Sequence, residues 1–594
     1  MKGAEFIIKK TEAKDIFTSN DFTEEQRMMR DALQEFAERE VIPNLERFEK
    51  KDYAFTREIM SKLGEMGFLG VSIPEKYGGM GMGFVSSMLV TDYISGLTGS
   101  LATAFGAHTG IGTMPIYLYG TEEQKQKYLP GLTSGNKFGA YCLTEPEAGS
   151  DANSGKTTAR LSDDGKHYII DGQKMWISNA GFAEIFIVFA RIEDDKYITA
   201  FILDYDPENP NGVELGEEEH KLGIRASSTR QVFFTGTKIP VENMLGKRGQ
   251  GFKIALNALN VGRIKLAAGC TDAQRRSVTR SVEYANERVQ FKVPISRFGA
   301  IQKKLAEMAR KAYVSDAGVY RAAGDIERMI EELVQSGMSL EEAELKTFEE
   351  FAVEAAILKV YVSEAVQYAT DEGIQIFGGM GFSEDTPMEA AWRDARITRI
   401  YEGTNEINRL LTIGMLLRKT MKGQLDLLGP ATAVAKSLMS IPSFETPDFS
   451  ELLSEEKDLL DRLKKAFLMV AGKAAQTYGD KLERHQQLIL AAAEMLIEIY
   501  MAESTLLKAE KIAADKGEKA AEYDLAIARL QLYHSVQSLT ENAREAIHYM
   551  AKDDEKRMML MGLKRFTKYH NPPDLIALRK LIAGKVIEEN KYCF

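Results

Sequence analysis

The sequence is poor in the residues that mark disulfide-rich, metal-binding and secreted proteins. Its 594 residues include 3 cysteines and 7 histidines. Cys142, Cys270 and Cys593 lie far apart and are odd in number, which argues against a disulfide framework and favours a reducing compartment. The histidines form no HxxxH or HExxH pair, so we expect no metal site. There is no GxSxG motif that would indicate a nucleophile elbow.

Long apolar runs and an excess of positive charge are also absent. No stretch of about 20 uninterrupted apolar residues occurs, so we expect no membrane-spanning helix. The N-terminus has no apolar core of the kind found in secretory signals, which makes the cytoplasm the expected compartment. The formal net charge is -11. Because phosphate recognition needs a basic surface, we expect no nucleic-acid partner.

The residues that are present divide the chain into four regions and predict an α+β fold. Apolar residues recur at helical spacing over residues 1–138. Short β-favouring runs joined by turns follow over residues 139–250 and predict an antiparallel sheet or barrel. Helical periodicity returns over residues 251–422, with lengths typical of an antiparallel bundle. A Pro- and Ser-containing joint at residues 429–450 leads into a helical extension, residues 430–594.

The first candidate site combines YCLTEPEAGSD at residues 141–151 with GQKMWISNAG at residues 172–181. The small residues Gly149 and Ser150 would let backbone N–H groups approach an anion closely, and the Thr144 hydroxyl adds a donor. This arrangement suits a phosphorylated cofactor. An ordinary Gly/Ser turn between strands is the alternative interpretation.

The second candidate site is a loop inside RDARITRIYEGTNEINRLL, residues 393–411. The pattern predicts that one helix stops at residues 401–403 and that another starts at Thr404 or Asn405. Glu402 then lies on a tight loop at a helix N-terminus, where its carboxylate either faces inward as a base or complements the helix dipole at the surface. Burial would raise its pKa and the helix start would lower it, so the sequence gives no net direction.

Two glycine-rich segments complete the set of candidates. GIQIFGGMGF at residues 373–382 fits a turn where backbone approaches a ligand, or simply close packing. Neither this segment nor YGGMGMG at residues 77–83 satisfies GxGxxG after a strand. A Rossmann nucleotide site is therefore not supported, and any dinucleotide must be held in another way.

Taken together, these motifs resemble the acyl-CoA dehydrogenase family over roughly residues 20–420. The family pattern CLTEPxAGSD, the W-I-[ST] strand and the YEGT base loop match residues 141–151, 176–178 and 401–404. The resemblance implies an N-terminal helical domain, a middle β-domain, a four-helix bundle and FAD bound between subunits. It also implies a homodimer or homotetramer.

The resemblance assigns site residues position by position. Those expected against the isoalloxazine and pyrophosphate of FAD are Tyr141, Leu143, Thr144, Gly149, Ser150, Trp176, Ile177 and Ser178. Those expected to reach a neighbouring subunit's FAD are Arg288, Gln290, Phe298 and Gly299. Those expected on its adenosine side are Gln375, Ile376, Phe377, Gly378, Gly379, Thr404, Asn405 and Glu406. Those expected to bind acyl-CoA are Ser150, Asn260, Arg263, Tyr401 and Gly403.

The resemblance also implies a reaction, the α,β-dehydrogenation of fatty acyl-CoA to trans-2-enoyl-CoA in the first step of β-oxidation. Glu402 is the expected base for the pro-R α-proton, and the β-hydrogen leaves as hydride to flavin N5. The thioester carbonyl would accept hydrogen bonds from the flavin ribityl hydroxyl and the Glu402 N–H. Some relatives carry the base at the position of Gly262, which cannot deprotonate anything. Electrons are expected to pass to electron-transferring flavoprotein.

The C-terminal extension resembles that of very-long-chain members and so implies long acyl substrates. Small residues over 102–112 leave room for a deep tunnel, or pack helices closely. Residues 556–570 mix basic and apolar side chains, which is typical either of a segment on an anionic membrane surface or of a solvated helix face with a core stripe. Peripheral membrane contact through this region is one of these two alternatives.

Two competing functions share the resemblance. An acyl-CoA oxidase would carry out the same half-reaction with oxygen as electron acceptor, but the YEGT loop and the length near 600 favour a dehydrogenase. A non-catalytic scaffold or nucleic-acid-binding relative would keep only the fold. The presence of Glu402, of both flavin motifs and of an acidic composition argues against that alternative.

Overall fold

The N-terminal part of the chain is helical. The structure is a computed structural model that describes residues 1–438 and 448–594. Up to residue 138 its helices are α1 (Glu24–Phe36), α2 (Leu45–Glu49), α3 (Tyr53–Glu65), α4 (Phe84–Ser95), α5 (Gly99–Gly106), α6 (Met114–Tyr119) and α7 (Glu122–Thr133). Helix α1 begins at a capping box, because the Thr23 side chain accepts a hydrogen bond from the Gln26 N–H and the Gln26 side chain bonds back.

A mixed sheet follows. Its strands are β1 (Gly139–Cys142), β2 (Thr158–Leu161), β3 (His167–Ser178), β4 (Ile185–Ile192), β5 (Thr199–Asp204), β6 (Val213–Glu218), β7 (Thr229–Pro240) and β8 (Met244–Leu245). They pair in the order β6-β7-β3-β2-β4-β5-β8, with β1 beside β4. Most pairs are antiparallel as predicted, but β4 pairs in parallel with β1 and β2. In the described structure no hairpin joins β4 to β1 or to β2, so these pairs are not constrained to run antiparallel. Of the two predicted forms, the described strands take the open sheet.

Long helices form the next layer. They are α8 (Gly251–Glu287), a short hairpin of β9 (Val289–Gln290) and β10 (Val293–Pro294), α9 (Gly299–Gln335), α10 (Leu340–Glu350), α11 (Ala352–Phe377), α12 (Pro387–Ile397) and α13 (Asn405–Met421). Helix α8 packs against α4, α9 and α11, so it lies at the centre of the bundle. Helix α8 therefore contacts both the N-terminal helices and the other helices of the bundle.

The C-terminal extension is a second helical unit that packs on α9 and α13. Its helices are α14 (Leu428–Leu438), α15 (Ser454–Tyr478), α16 (Gln486–Lys516), α17 (Glu522–Met550), α18 (Asp553–Phe566) and α19 (Leu575–Glu589). The predicted joint begins as helix α14, and its residues 439–447 lie outside the described residues. Helix α15 buries an apolar stripe formed by Leu459, Leu463, Phe467 and Val470.

The basic and apolar stretch at residues 556–570 belongs largely to α18. Its apolar residues Met559, Leu563 and Phe566 are buried, and α18 packs on α15 and α17. This face is therefore a core stripe within the extension. Across the described residues, no helix combines the length and the apolar character needed to cross a bilayer.

Buried ion pairs join the extension to the bundle. Arg321 of α9 donates from Nη2 to Glu503 Oε2 at 2.8 Å, and Lys464 of α15 contacts the other oxygen of the same carboxylate. Lys508 of α16 forms a further buried pair with Asp316 of α9. Because each cation is removed from water, each depends on its carboxylate partner.

We expect the Glu503→Gln substitution to lower the free energy of unfolding by about 3–5 kcal/mol, because it leaves two buried cations without a carboxylate. Urea denaturation of the full-length protein measures this change. The matched control is Asp554→Asn, whose exposed pair with Arg557 contributes little. Equal midpoints for the two variants would show that the buried carboxylate does not stabilise the attachment of the extension.

Candidate functional site

A cavity of about 830 Å³ lies between α5, α8 and α12. Small side chains of the N-terminal helices, including Ala102, Gly106 and Ala107, line one wall. The residues from Ala107 to Gly112 form a π-helical turn, a feature that often marks functional sites. Tyr401 and Glu402 line the cavity as well, so the second candidate motif meets the predicted small-residue stretch here.

The loop that carries Glu402 is strained and firmly held. Glu402 and Gly403 have φ values of 58° and 81°, and a positive φ is uncommon for a glutamate. Arg263 donates from Nε to the Glu402 carbonyl at 3.2 Å, and Lys359 donates from Nζ to the Gly403 carbonyl at 2.8 Å. Asn408 Nδ2 donates to the same Gly403 carbonyl at 2.8 Å. The loop conformation is therefore fixed by side chains from three helices.

The Glu402 carboxylate faces inward and has no ion-pair partner among the described residues. Its Oε2 is buried and accepts no hydrogen bond from them. Burial raises the Glu402 pKa to about 7, although the charges of Arg263 and Lys359 act in the opposite direction. The structure thus decides the direction that the sequence left open. A carboxyl group with a pKa near 7 is suited to proton transfer at neutral pH.

Gly262 of α8 lies directly against this carboxylate. A Cβ atom at Gly262 would come within 2.7 Å of Glu402 Oε2, closer than real Cβ atoms approach. The absence of a side chain at Gly262 is what leaves space for the glutamate. Gly262 and Glu402, the two positions compared in the sequence as sites of the base, therefore lie next to each other, and only position 402 carries a side chain.

The two halves of the first candidate motif are joined by hydrogen bonds. The Met175 N–H donates to the Thr144 carbonyl at 2.9 Å. Lys174 Nζ contacts Glu145 Oε1 at 2.6 Å, and both side chains are buried. Residues 141–151 and residues 172–181 therefore form one continuous surface. The hydroxyl of Tyr141, the first residue of that surface, is buried and has no partner among the described residues.

Trp176 is held in an unusual position on this surface. A shift in the pairing of β3 with β7 falls between Lys174 and Ile177, and Trp176 has a φ of 60°. The bulge turns the indole outward, so 53% of the residue is exposed. A Cβ at Gly149 would meet no atom within 4 Å beyond its chain neighbours. An open backbone next to an exposed ring fits a flat, phosphorylated cofactor such as FAD.

The remaining predicted cofactor residues lie in two other places. Arg288 and Gln290 are exposed beyond the end of α8, and Phe377 stacks on Tyr284 near the same end with ring centroids 4.1 Å apart. We call the predicted cofactor residues at this first place the distal group. Its members are Arg288, Gln290, Phe298, Gly299, Gln375, Ile376, Phe377, Gly378 and Gly379. In the distal group the side chains of Ile376 and Phe377 are buried, so their contribution there is packing.

The second group lies beside Glu402, at the start of α13. Helix α13 begins at Asn405, one of the two starts that the sequence predicted, and the Thr404 side chain caps it by accepting a hydrogen bond from the Ile407 N–H. Asn405 is buried and bonds to Lys359 and Ser363, while Glu406 is exposed. Asn405 therefore supports the loop from inside the bundle.

The predicted substrate residues also divide by position. Arg263 Nη1 donates to Asn260 Oδ1 at 2.9 Å, and both residues are buried beneath the Glu402 loop. Ser150 is exposed on the β-region surface. Sequence reasoning missed Lys359 and Asn408. The signal for Lys359 was a single charge within the apolar run AAILKVYV, residues 355–362, since a lone lysine there must find a buried partner.

Comparisons with known proteins agree on one family. Models described as the N-terminal, middle and C-terminal domains of acyl-CoA dehydrogenase match residues 23–136, 140–237 and 249–416. A further model described as an acyl-CoA dehydrogenase C-terminal domain matches residues 462–565. The chain is 39% identical over 591 residues to a probable acyl-CoA dehydrogenase of Bacillus subtilis (strain 168), with 100% of this chain and 98% of the relative covered.

Two further similar proteins are an enzyme named for the length of its acyl substrate and a solved structure that contains FAD. The very long-chain specific mitochondrial acyl-CoA dehydrogenase of Rattus norvegicus is 38% identical over 392 residues, which cover 65% of this chain and 56% of the relative. A crystal structure of acyl-CoA dehydrogenase complexed with FAD from Bacillus anthracis has a TM-score of 0.96 at 40% identity and covers 100% of both chains. The fold of the extension is therefore shared with a solved structure.

We expect the Lys359→Met substitution to raise the pKa of Glu402 above its value of about 7, because it removes one of the two cations that lower it. Infrared difference spectroscopy of the protonated carboxyl band measures this pKa, and Glu402→Gln identifies the band. Lys359→Arg keeps the charge and is the matched control. A Glu402 pKa that stayed the same in the Met variant would show that Lys359 has no electrostatic influence on the carboxylate.

Proposed function

This chain belongs to the acyl-CoA dehydrogenase family, and on that premise we propose that it converts long-chain fatty acyl-CoA to trans-2-enoyl-CoA with Glu402 as the base. The enzyme is an FAD-dependent oxidoreductase. The observation that carries the assignment of the base is the position of the Glu402 carboxylate, which lines the cavity with one oxygen unbonded. Its pKa near 7 allows it to accept a proton at physiological pH.

The residues of this chain support the reaction in several ways. FAD, when bound, supplies the acceptor for the hydride that leaves the β-carbon. Glu402, at the wall of the cavity, takes the α-proton. Among the described residues none accepts a hydrogen bond from the Glu402 N–H, which leaves this donor available to the thioester oxygen as negative charge develops there. Arg263 and Lys359 donate hydrogen bonds to the loop carbonyls, so that the carboxylate and the N–H of Glu402 stay in place.

FAD would be held by residues from two copies of the chain. The surface around Thr144 and Trp176 lies in the β-region. The distal group begins at Arg288, which follows Gly262 by roughly 39 Å along α8 at about 1.5 Å per residue. We therefore propose that one FAD contacts the β-region surface of one subunit and the distal group of a second. The β9–β10 hairpin supports this arrangement, since Phe291 at its tip is 87% exposed and offers an apolar surface to a partner.

Long acyl chains and a protein electron acceptor complete the proposal. The cavity wall of Ala102, Gly106 and Ala107 leaves depth for a long chain, and similarity to a very long-chain specific relative agrees with it. Family membership supports electron-transferring flavoprotein as the acceptor.

We expect Glu402→Gln to keep FAD and to reduce the rate of flavin bleaching by acyl-CoA by about 10² to 10⁴-fold, because an amide cannot accept the α-proton. Anaerobic stopped-flow absorbance with palmitoyl-CoA measures this rate, and the wild-type rate should rise with pH through about 7. The exposed Glu541→Gln variant is the control for the same change elsewhere. Near-normal bleaching by the Glu402 variant would remove Glu402 from the reaction.

We expect kcat/KM to rise by about tenfold or more from butyryl-CoA to palmitoyl-CoA, because each added methylene that enters the apolar cavity contributes binding energy. The measurement is a series of saturated acyl-CoA substrates with an artificial electron acceptor. A maximum between butyryl-CoA and octanoyl-CoA would contradict the long-chain assignment without affecting the role of Glu402.

A further inference from the structure

The wall that α8 contributes to the cavity changes in character along the helix. Near Glu402 the residues that recur at helical spacing on this wall are small or apolar, namely Gly262, Leu266, Gly269 and Ala273, and the side chain of Lys265 lines the same stretch. Further along the same face the lining residues include Arg276 and Arg280. Apart from Lys265, the wall is therefore small and apolar near Glu402, and it becomes strongly polar where α8 leaves the cavity.

The polar part lies far from the reacting carbon atoms. Helix α8 is continuous, so about 27 Å separates Gly262 from Arg280 at about 1.5 Å per residue. Gly262 is the residue in contact with the Glu402 carboxylate. The arginines thus lie at the end of the cavity that would receive the terminal carbon of a long acyl chain.

This distal end is open to solvent. The side chains of Arg280 and Glu384, which both line the cavity, are 49% and 79% exposed. The carboxylate paired with Arg280 is Glu283, 3.6 Å away, so the guanidinium keeps hydrogen-bonding capacity for other groups. Asp385 is a further exposed lining residue. We call Arg280, Glu384 and Asp385 the distal mouth.

We propose that the acyl cavity is a channel with a second, polar opening at the distal mouth, and that long acyl-CoAs with a hydroxyl group on the terminal carbon are substrates. This inference rests on the proposed function. The guanidinium of Arg280 donates hydrogen bonds and the carboxylates of Glu384 and Asp385 accept them, which suits a group that does both. Lys50, Arg225 and Arg276 line this end of the cavity together with further carboxylates, so charges of both signs meet there and a neutral group that both donates and accepts is favoured over a terminal carboxylate.

The dependence on chain length tests this proposal in the wild-type holoenzyme. A terminal hydroxyl that stops inside the channel is removed from water and can pair at most with the hydroxyls of Thr91, Ser95 or Thr103, so it lowers kcat/KM by about tenfold relative to the unsubstituted acyl-CoA. We expect this penalty for ω-hydroxyoctanoyl-CoA. For ω-hydroxyeicosanoyl-CoA and ω-hydroxydocosanoyl-CoA we expect kcat/KM within about threefold of the parent, because the hydroxyl reaches the distal mouth.

The unsubstituted parents separate the two possible failures. If the parent acyl-CoAs are not dehydrogenated, the proposed function is wrong. If the long parents are turned over but their ω-hydroxy forms keep the tenfold penalty, the channel is closed at its end and the present inference is overturned.

A substitution midway along the channel gives a second test. Ala273→Phe fills the channel between its apolar and polar parts, and Ala273→Ser is the matched control that keeps the side chain small. We expect the Phe variant to lose about tenfold or more of kcat/KM for hexadecanoyl-CoA and its ω-hydroxy form. Octanoyl-CoA should still bleach the flavin, which shows that the variant is folded. Unchanged turnover of the long substrates would place the acyl chain elsewhere and contradict the channel.

Discussion

The placement of one carboxylate in an apolar cavity is the constraint on which the rest of the site depends. A buried, unpaired carboxylate is costly, and the protein does not offset that cost by pairing the charge directly. Arg263 and Lys359 instead donate to the carbonyls of Glu402 and Gly403. Their charges lower the pKa of Glu402 from a distance while its Oε2 atom stays without a hydrogen bond from the described residues. This arrangement keeps Glu402 ionisable near neutral pH and leaves it able to accept a proton.

Helix α8 connects the parts of the site. Gly262 makes room for the Glu402 side chain, and the next residue, Arg263, fixes the loop that carries it. The same helix face lines the cavity as far as Arg280 and then leads to the β9–β10 hairpin. The C-terminal extension acts on the neighbouring helix α9 through Arg321 and Asp316. Since α9 packs on α8, the extension supports the bundle without lining the cavity among the residues described.

Strain marks the two functional surfaces. Trp176 and Glu402 both have positive φ values, in segments that hydrogen bonds hold from several sides. Such conformations persist only where the surrounding structure determines them. In each case the positive φ turns the side chain of a candidate site residue away from the direction that a regular element would give it. The indole becomes accessible beside the first motif, and the carboxylate is directed into the cavity.

The sequence by itself determined the helix and strand regions and a helix start at Thr404 or Asn405, because capping and periodic burial are encoded within a few neighbouring residues. The resemblance of its motifs to a known family made Glu402 a candidate base. Only the tertiary structure decided whether Glu402 faced inward and in which direction its pKa moved, since both depend on Arg263 and Lys359, which lie far away in the chain. The parallel pairing of β4 and the open distal end of the cavity were likewise settled by contacts between distant segments. Local sequence patterns do not tell which distant segments will come into contact, and the pKa of a buried group depends on those contacts.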